Sequence, residues 1–298
     1  MKLKVWFLET RPNFLLLSVV LAFLGNSIAW YNGFFNLGLA LLAGFGLILT
    51  HISVNVLNDY FDYRSGVDLA TKRTPFSGGS GILPARLLTP GEVLWFGIIS
   101  LIPAIAIGVY FTVTKGLPLL PLLLVAVLCI IIYTPYILKM PWPEWVAGLG
   151  LGILPVLGTY FAQTGYYSVP ALIASVPSGI LVHNLLLLNE FPDAKADLVA
   201  NRKTLPIILG SSGASIIYST LTLLVYVWII GAVIARAMPV YSLIALLTLP
   251  LAVKAIGGAR KSHDVSKLMP AMASNVLMIL LTQLLLGIGY ILSGLFAS

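Results

Sequence analysis

The chain has 298 residues and a net charge of +7, with 59% hydrophobic and only 9% charged residues. A soluble domain carries roughly 25% charged residues, so this chain has too few to cover a water-facing surface. Its apolar runs approach the ~20 residues that take a helix across hydrocarbon, and the alternating pattern of a membrane barrel is missing.

In chain order the predicted spans are 12–30, 37–62, 91–114, 117–137, 143–162, 169–190, 212–234, 239–257 and 269–295. Helix is the default for each, because lipid offers no partner to open backbone groups. The first follows Lys2 and Lys4, and its apolar run is too long for a signal-peptide core, so it reads as a span. Arg11-Pro12 opens it, a position where proline is tolerated, and Arg11 is expected to face headgroups. The second span ends in His51, Asn55, Asn58, Asp59 and Asp62, which fall on one stripe at 100° per residue. A long loop at 63–90 follows, with Asp68, Lys72, Arg73 and the glycine-rich stretch 77–81.

The fourth span holds the one cysteine, Cys129, which permits no intrachain disulfide and reads as a small packed residue. Glu144 is a polar start to the fifth span, and Trp142 and Trp145 are read as interface anchors. The sixth span ends in Asn189 and Glu190. A second long loop at 191–211 brings Asp193, Asp197, Arg202 and Lys203, with Pro192 favouring a kink or break. His51 and His183 are expected to be buried and hydrogen-bonded, and Asn275 and Gln283 to bond between helices.

Nine spans place alternate loops on opposite sides, and fifteen of the seventeen Lys and Arg residues then share one side; only Lys115 and Arg236 lie on the other. By the positive-inside rule the crowded side and the N-terminus are cytoplasmic, and the C-terminus is external. The basic surplus is explained by the bilayer, without nucleic acid as a partner. The expected architecture is all-α, one domain over 1–298, with helices around a central cavity and cytoplasmic cap loops at 63–90 and 191–211.

Six of the ten acidic residues fall in two groups, Asp59, Asp62, Asp68 and Glu190, Asp193, Asp197. Carboxylates crowded at a membrane edge need a cation or a basic partner. Oxygen-only ligands suit Mg²⁺ or Ca²⁺, and Mg²⁺ characteristically completes its shell with water and substrate phosphate. A basic pair follows each group, Lys72 with Arg73 and Arg202 with Lys203, and the glycine-rich stretch could offer N–H groups to an anion.

These motifs resemble the UbiA superfamily of intramembrane prenyltransferases. Asn58-Asp59-Tyr60-Phe61-Asp62 continuing to Asp68 is similar to the family's first aspartate-rich signature. Asn189-Glu190-Phe191-Pro192-Asp193 continuing to Asp197, then Lys203-Thr204-Leu205-Pro206, is similar to the second. Tyr133-Thr134-Pro135 through Lys139 takes the place of a shorter motif at the diphosphate. Gly66, the Asn-Glu-Phe-Pro-Asp form and the stretch 158–165 look most like the menaquinone branch, which prenylates 1,4-dihydroxy-2-naphthoate.

The resemblance implies Mg²⁺-dependent transfer of a prenyl chain from a polyprenyl diphosphate to an aromatic or lipid acceptor. Two Mg²⁺ ions would be held by Asn58, Asp59, Asp62, Glu190, Asp193 and Asp197. Lys72, Arg73, Lys139, Arg202 and Lys203 would bind the diphosphate. Tyr133 would donate a hydrogen bond and Asp68 would position the acceptor or take its proton. His51, Asn55 and Asn189 would stand behind the ligands. Two alternatives stay open: prenyl transfer to geranylgeranylglyceryl phosphate, and a cation transporter or channel, whose acids would sit nearer the midplane.

Overall fold

The structure, a computed structural model, describes residues 2–261 and 265–296. It is all-helical, with no strand among the described residues. A short α1 (Lys2–Glu9) precedes α2 (Pro12–Tyr31) and α3 (Leu37–Ser65). One turn, α4 (Val67–Ala70), leads into the glycine-rich loop; α5 (Pro90–Lys115) and α6 (Leu119–Ile132) follow. Next come α7 (Glu144–Thr164), α8 (Val169–Val199) and a single turn, α9 (Leu205–Ile208). The chain closes with α10 (Gly210–Ile234), α11 (Val240–Ala259) and α12 (Val265–Phe296).

Eight of these helices are long and apolar enough to cross a membrane. The ninth expected span is the short one. α6 has 14 residues, about 21 Å at 1.5 Å per residue, because Pro135 stops a helix predicted to run to 137. Elsewhere local chemistry fixes the ends. The Asn36 side chain accepts from Leu39 N at 3.0 Å to start α3, and Gly66 closes it in the left-handed region at φ 82. Thr89 and Glu92 form a reciprocal capping box at α5.

Helix α8 packs against α7, α10 and α12. α3 lies along α5, and α12 lies along α2 and α11. Leu21, Leu24, Val156, Tyr160, Leu181, Ile229 and Met278 form the main core. α7 and α8 touch main chain to main chain: a Cβ at Gly152 would lie 2.7 Å from Gly179 Cα, and one at Gly148 would lie 2.6 Å from the Gly179 oxygen. Beside this contact, residues Leu149–Ile153 of α7 open into a π turn.

Interhelical polar contacts match expectation for α12. Asn275 Oδ1 accepts from Tyr218 Oη at 2.9 Å, and Gln283 accepts from Ser178. At the end of the bundle that carries Lys115, Gln163 donates to Asn26 Oδ1 at 2.8 Å and to the Asn36 oxygen at 3.0 Å, and accepts from Asn36 N at 2.8 Å. Lys115 Nζ donates to the Gln163 carbonyl at 2.9 Å.

Candidate active site

At the opposite end the polar stripe of α3 divides by depth. His51 bonds Ser18 Oγ at 2.8 Å and Asn55 donates to the Thr10 carbonyl at 3.0 Å, so both fasten the start of α2 to α3. Asn58 and Asp62 face a cavity, and Asp59, 1% exposed, lies behind it. Asp59 is paired with Arg11, whose guanidinium also reaches Asn58 Oδ1 at 3.5 Å. The expectation that Arg11 faces headgroups is therefore corrected. Its left-handed backbone, φ 52, turns the side chain inward at the head of α2, where a buried carboxylate requires a cation.

The second group sits on one face of α8. The expected loop at 191–211 is also corrected, because α8 runs through Pro192 to Val199. Proline forfeits one helix bond, and packing against neighbouring helices makes that tolerable. The continued helix sets Asn189, Glu190, Asp193 and Asp197 on the cavity wall, facing Asn58, Asp62 and Asp68. Arg202 joins the two groups: it bonds Asp197 Oδ1 at 2.8 Å and is paired with Asp62.

The 71–81 loop closes the cavity. Thr74 Oγ1 accepts from the N–H groups of Phe76 and Ser77 at 3.1 and 2.9 Å, which tightens the turn. Gly78, Gly79 and Gly81 have φ of 82, 69 and 74, and a Cβ at Gly79 would lie 2.9 Å from Asp68 Oδ2. Glycine is thus needed both for conformation and for clearance. Ser80 N donates to Asp59 Oδ2 at 2.9 Å, and Ser80 Oγ donates to Glu9 Oε2 at 2.7 Å.

Two acids were missed as site residues. Glu9, fully buried at the end of α1, ties that helix to the glycine loop. Glu144 is also fully buried; it accepts from Leu205 N at 2.7 Å and sets its carboxyl against Glu190. Neither carries a local signal, since each gains its place from chain segments distant in sequence. Lys203 N donates to the Leu138 carbonyl at 3.0 Å, and Trp142 N donates to the Lys203 carbonyl at 3.3 Å, which pins the 133–142 segment over the same end.

The cavity holds about 120 Å³. Asp68 Oδ2, Asn189 Oδ1, Asp193 Oδ1, both Glu190 oxygens and the Tyr133 hydroxyl are buried there without a hydrogen-bond partner. Buried oxygens left in this state are costly. All but the phenol are hard acceptors of the kind Mg²⁺ prefers. Among the described residues no three acidic, histidine or cysteine side chains converge on one point. The site therefore fits an ion bound by one or two carboxylates and completed by substrate and water, rather than a protein cage.

Burial pushes the Asp68 carboxyl up to about 6, reinforced by Asp62 and opposed by Arg11, Arg202 and Arg73. Burial also raises the Tyr133 phenol, which stays a donor. Burial works against the Arg202 charge, yet Asp62 and Asp197 hold its pKa above the usual arginine value. The other expected anion binders Lys72, Arg73 and Lys203 are all exposed, Arg73 with its guanidinium beside Gly81. Lys139 lines a neighbouring cleft.

Residues 18–276 match the UbiA prenyltransferase family. The chain is similar to the 1,4-dihydroxy-2-naphthoate octaprenyltransferase of Bacillus subtilis (strain 168), with 29% identity across 95% of this chain and 91% of that protein. Its fold is similar to the apo structure of a UbiA homolog from Aeropyrum pernix K1, with a TM-score of 0.72 and 17% identity over 94% of this chain and 98% of the other. A UbiA homolog from Archaeoglobus fulgidus bound to GPP and Mg²⁺ gives a TM-score of 0.63 at 15% identity, over 95% of this chain and 99% of that one. The family match takes in both acidic groups and the helices that carry them, and the chain belongs to the UbiA prenyltransferase family of prenyl-transferring enzymes.

Proposed function

We propose that the protein transfers a polyprenyl chain from its diphosphate to an aromatic acceptor of the 1,4-dihydroxy-2-naphthoate type, with the site on the cytoplasmic side. One observation carries this reading: two acidic groups face one cavity, bridged by Arg202, with carboxylate and amide oxygens left without partners. The reaction and metal of its relatives support it, as does the crowding of basic residues at this end of the bundle. In this reading the chain is one membrane domain, its N-terminus inside and its C-terminus outside.

Asn58, Asp62, Asp193 and Asp197 would hold Mg²⁺, two ions in all, with Asp59, Asp68 and Glu190 beside them. Mg²⁺ held there would neutralise the departing diphosphate. Arg73 and Arg202 take up phosphate oxygens, with Lys72 and Lys203 at the rim, and Tyr133 donates to the same group. The C–O bond breaks with its electron pair leaving on the diphosphate, and the electron-rich ring supplies the pair for the new C–C bond. Asp68 takes the ring proton. The 71–81 loop and α1 exclude water from the allylic cation, and fixed charges aimed at the leaving group supply the largest share of the acceleration.

The test is an assay of the purified protein with geranylgeranyl diphosphate, with and without Mg²⁺. 1,4-Dihydroxy-2-naphthoate and geranylgeranylglyceryl phosphate compete as acceptors. A Mg²⁺-dependent prenylated product of the naphthoate supports the reading. An ether lipid would overturn the acceptor, and substrate-independent ion flux in liposomes would favour a transporter.

A further inference from the structure

Beside the satisfied Gln163 cluster, the Lys115 end holds a second polar group that is not satisfied. A cleft of about 350 Å³ opens there between the ends of α2, α8 and α10, the start of α11 and the flank of α12. Its polar wall is Asn32, Arg236 and Tyr290. The Tyr290 side chain is only 2% exposed, and its hydroxyl is buried with no hydrogen-bond partner. A buried phenol ordinarily finds an acceptor. Tyr31 meets the Tyr290 ring edge to face at 5.6 Å and fixes its position. Asn32 Nδ2 donates to Tyr160 Oη at 3.0 Å, and the amide has a second hydrogen to give.

Arg236 closes α10 in the left-handed region, at φ 58. Main-chain groups already serve the carbonyls of that turn. Gly231 accepts from Ala235 N at 2.9 Å, Ala232 from Ala237 N at 2.8 Å and Val233 from Arg236 N at 3.0 Å. The guanidinium is therefore not needed as a cap, and it forms no ion pair among the described residues. Lys115, the other cation of this end, is taken up by the Gln163 carbonyl. The connecting segments here, 31–36, 115–118, 164–168 and 235–239, contain no aspartate or glutamate. The cleft thus presents one positive charge and neutral donors, with nothing acidic to balance them. Ile28, Val233 and Met238 make its apolar side.

We propose that this cleft binds the phosphodiester of a membrane phospholipid in the leaflet at the Lys115 end. Arg236 takes the phosphate, Tyr290 and Asn32 donate to its oxygens, and the glycerol lies against the apolar side. Tyr31, Tyr166, Tyr167 and Tyr241 are exposed at this end, as aromatic side chains are at headgroup level. A phosphodiester carries a single negative charge, which one guanidinium balances through forked hydrogen bonds. Selectivity follows from the missing carboxylates. The ammonium of a choline or ethanolamine head would find no partner beside Arg236, so phosphatidylglycerol, whose only charge is the phosphate, is favoured. The site lies at the opposite end of the bundle from the aspartate cavity and does not depend on the prenyl-transfer reading.

The full chain, delipidated in detergent, is titrated with phosphatidylglycerol and with phosphatidylcholine. Bound lipid is counted by native mass spectrometry, and the thermal midpoint is read in parallel. Phosphatidylglycerol is expected to form one saturable adduct per chain and to raise the midpoint, and phosphatidylcholine to bind more weakly. Arg236→Gln should weaken phosphatidylglycerol about tenfold, and Tyr290→Phe, which keeps the packed ring, about threefold. Arg86→Gln, which removes an exposed charge at the aspartate end, should change neither reading. If Arg236→Gln folds poorly, the Tyr290→Phe loss decides by itself.

Equal affinity for the two lipids overturns the proposal, as does phosphatidylglycerol binding that is unchanged in both variants. A loss in Arg236→Gln no larger than in Arg86→Gln overturns it too, since it shows only a general attraction of anionic lipid to a basic protein. If inorganic phosphate raises the midpoint as far as phosphatidylglycerol does, with the same dependence on Arg236, the cleft takes a free anion and the lipid assignment fails.

Discussion

The two polar ends of the bundle are built to opposite standards. At the Lys115 end, Gln163 spends its amide on Asn26 and Asn36, and Lys115 answers the Gln163 carbonyl. At the aspartate end, Asp68, Asp193, Glu190 and Tyr133 keep buried atoms with no partner. The same helices supply both ends, so the difference is not one of fold quality. The Gln163 cluster closes one end of the bundle, and the other keeps buried oxygens free, as the proposed metal and diphosphate site requires. Unmet polar groups are thus more informative than acidic composition, because an ion pair can consume a carboxylate as Arg11 consumes Asp59.

The sharpest way to break this comparison is Asp62→Asn. It removes one of the two anions that hold Arg202 and one proposed Mg²⁺ ligand. Turnover is expected to fall by about 10²- to 10³-fold, measured as prenylated product, with a thermal midpoint close to wild type. A large loss of stability instead would show that the aspartate end is structural after all.

The second prediction addresses the other end. Gln163→Leu strands the polar groups of Asn26 and Asn36, and should cost about 1–2 kcal/mol of stability. Activity per folded molecule should not change. Reduced turnover at unchanged stability would mean that the two ends are coupled.

How much of this was visible beforehand depends on the range of the forces involved. The spans follow from hydrocarbon thickness, and among the described residues eight of the nine are helices long and apolar enough to cross. The Asn58–Asp62 stripe is legible because helical spacing alone puts its members together. Arg11, Glu9 and Glu144 were not legible as site residues. Arg11 depends on a left-handed backbone and a carboxylate 48 positions away, and Glu144 depends on Leu205 N. Pro192 misled for a related reason: local sterics favour a break, and packing around α8 outweighs them.

A smaller effect of opposite sign tests the idea that function holds the aspartate end away from its stability optimum. Glu190→Gln relieves the buried pairing of the Glu190 carboxyl, whose oxygens have no hydrogen-bond partner, with that of Glu144. The unfolding temperature should rise by about 2–4 °C, while turnover falls. A drop in both would show that Glu190 is needed for the packing of α8.

A further test is a pH dependence in α1. Burial raises Glu9 from its ordinary 4.5 to about 7, and the Ser80 hydrogen bond and Arg11 oppose the shift only in part. A carboxyl raised on folding contributes stability that is full below 4.5 and is lost as pH rises through about 7. From pH 5 to 8 the wild type should therefore lose thermal stability relative to Glu9→Gln, which carries no titrating group there. Parallel pH profiles would show that Glu9 titrates normally.

The bare contact of Gly148 and Gly152 with Gly179 bears on all of this. It works as a bearing with no clearance. The gap between α7 and α8 at this point is set chiefly by main-chain atoms, with the Ile153 side chain against Gly179. Glu144 and Glu190 ride on these two helices near the aspartate end, so their spacing is inherited from that bearing and not chosen residue by residue. One added methyl group at Gly152 would act as a wedge, opening the pair along its length and shifting an acidic site several turns away.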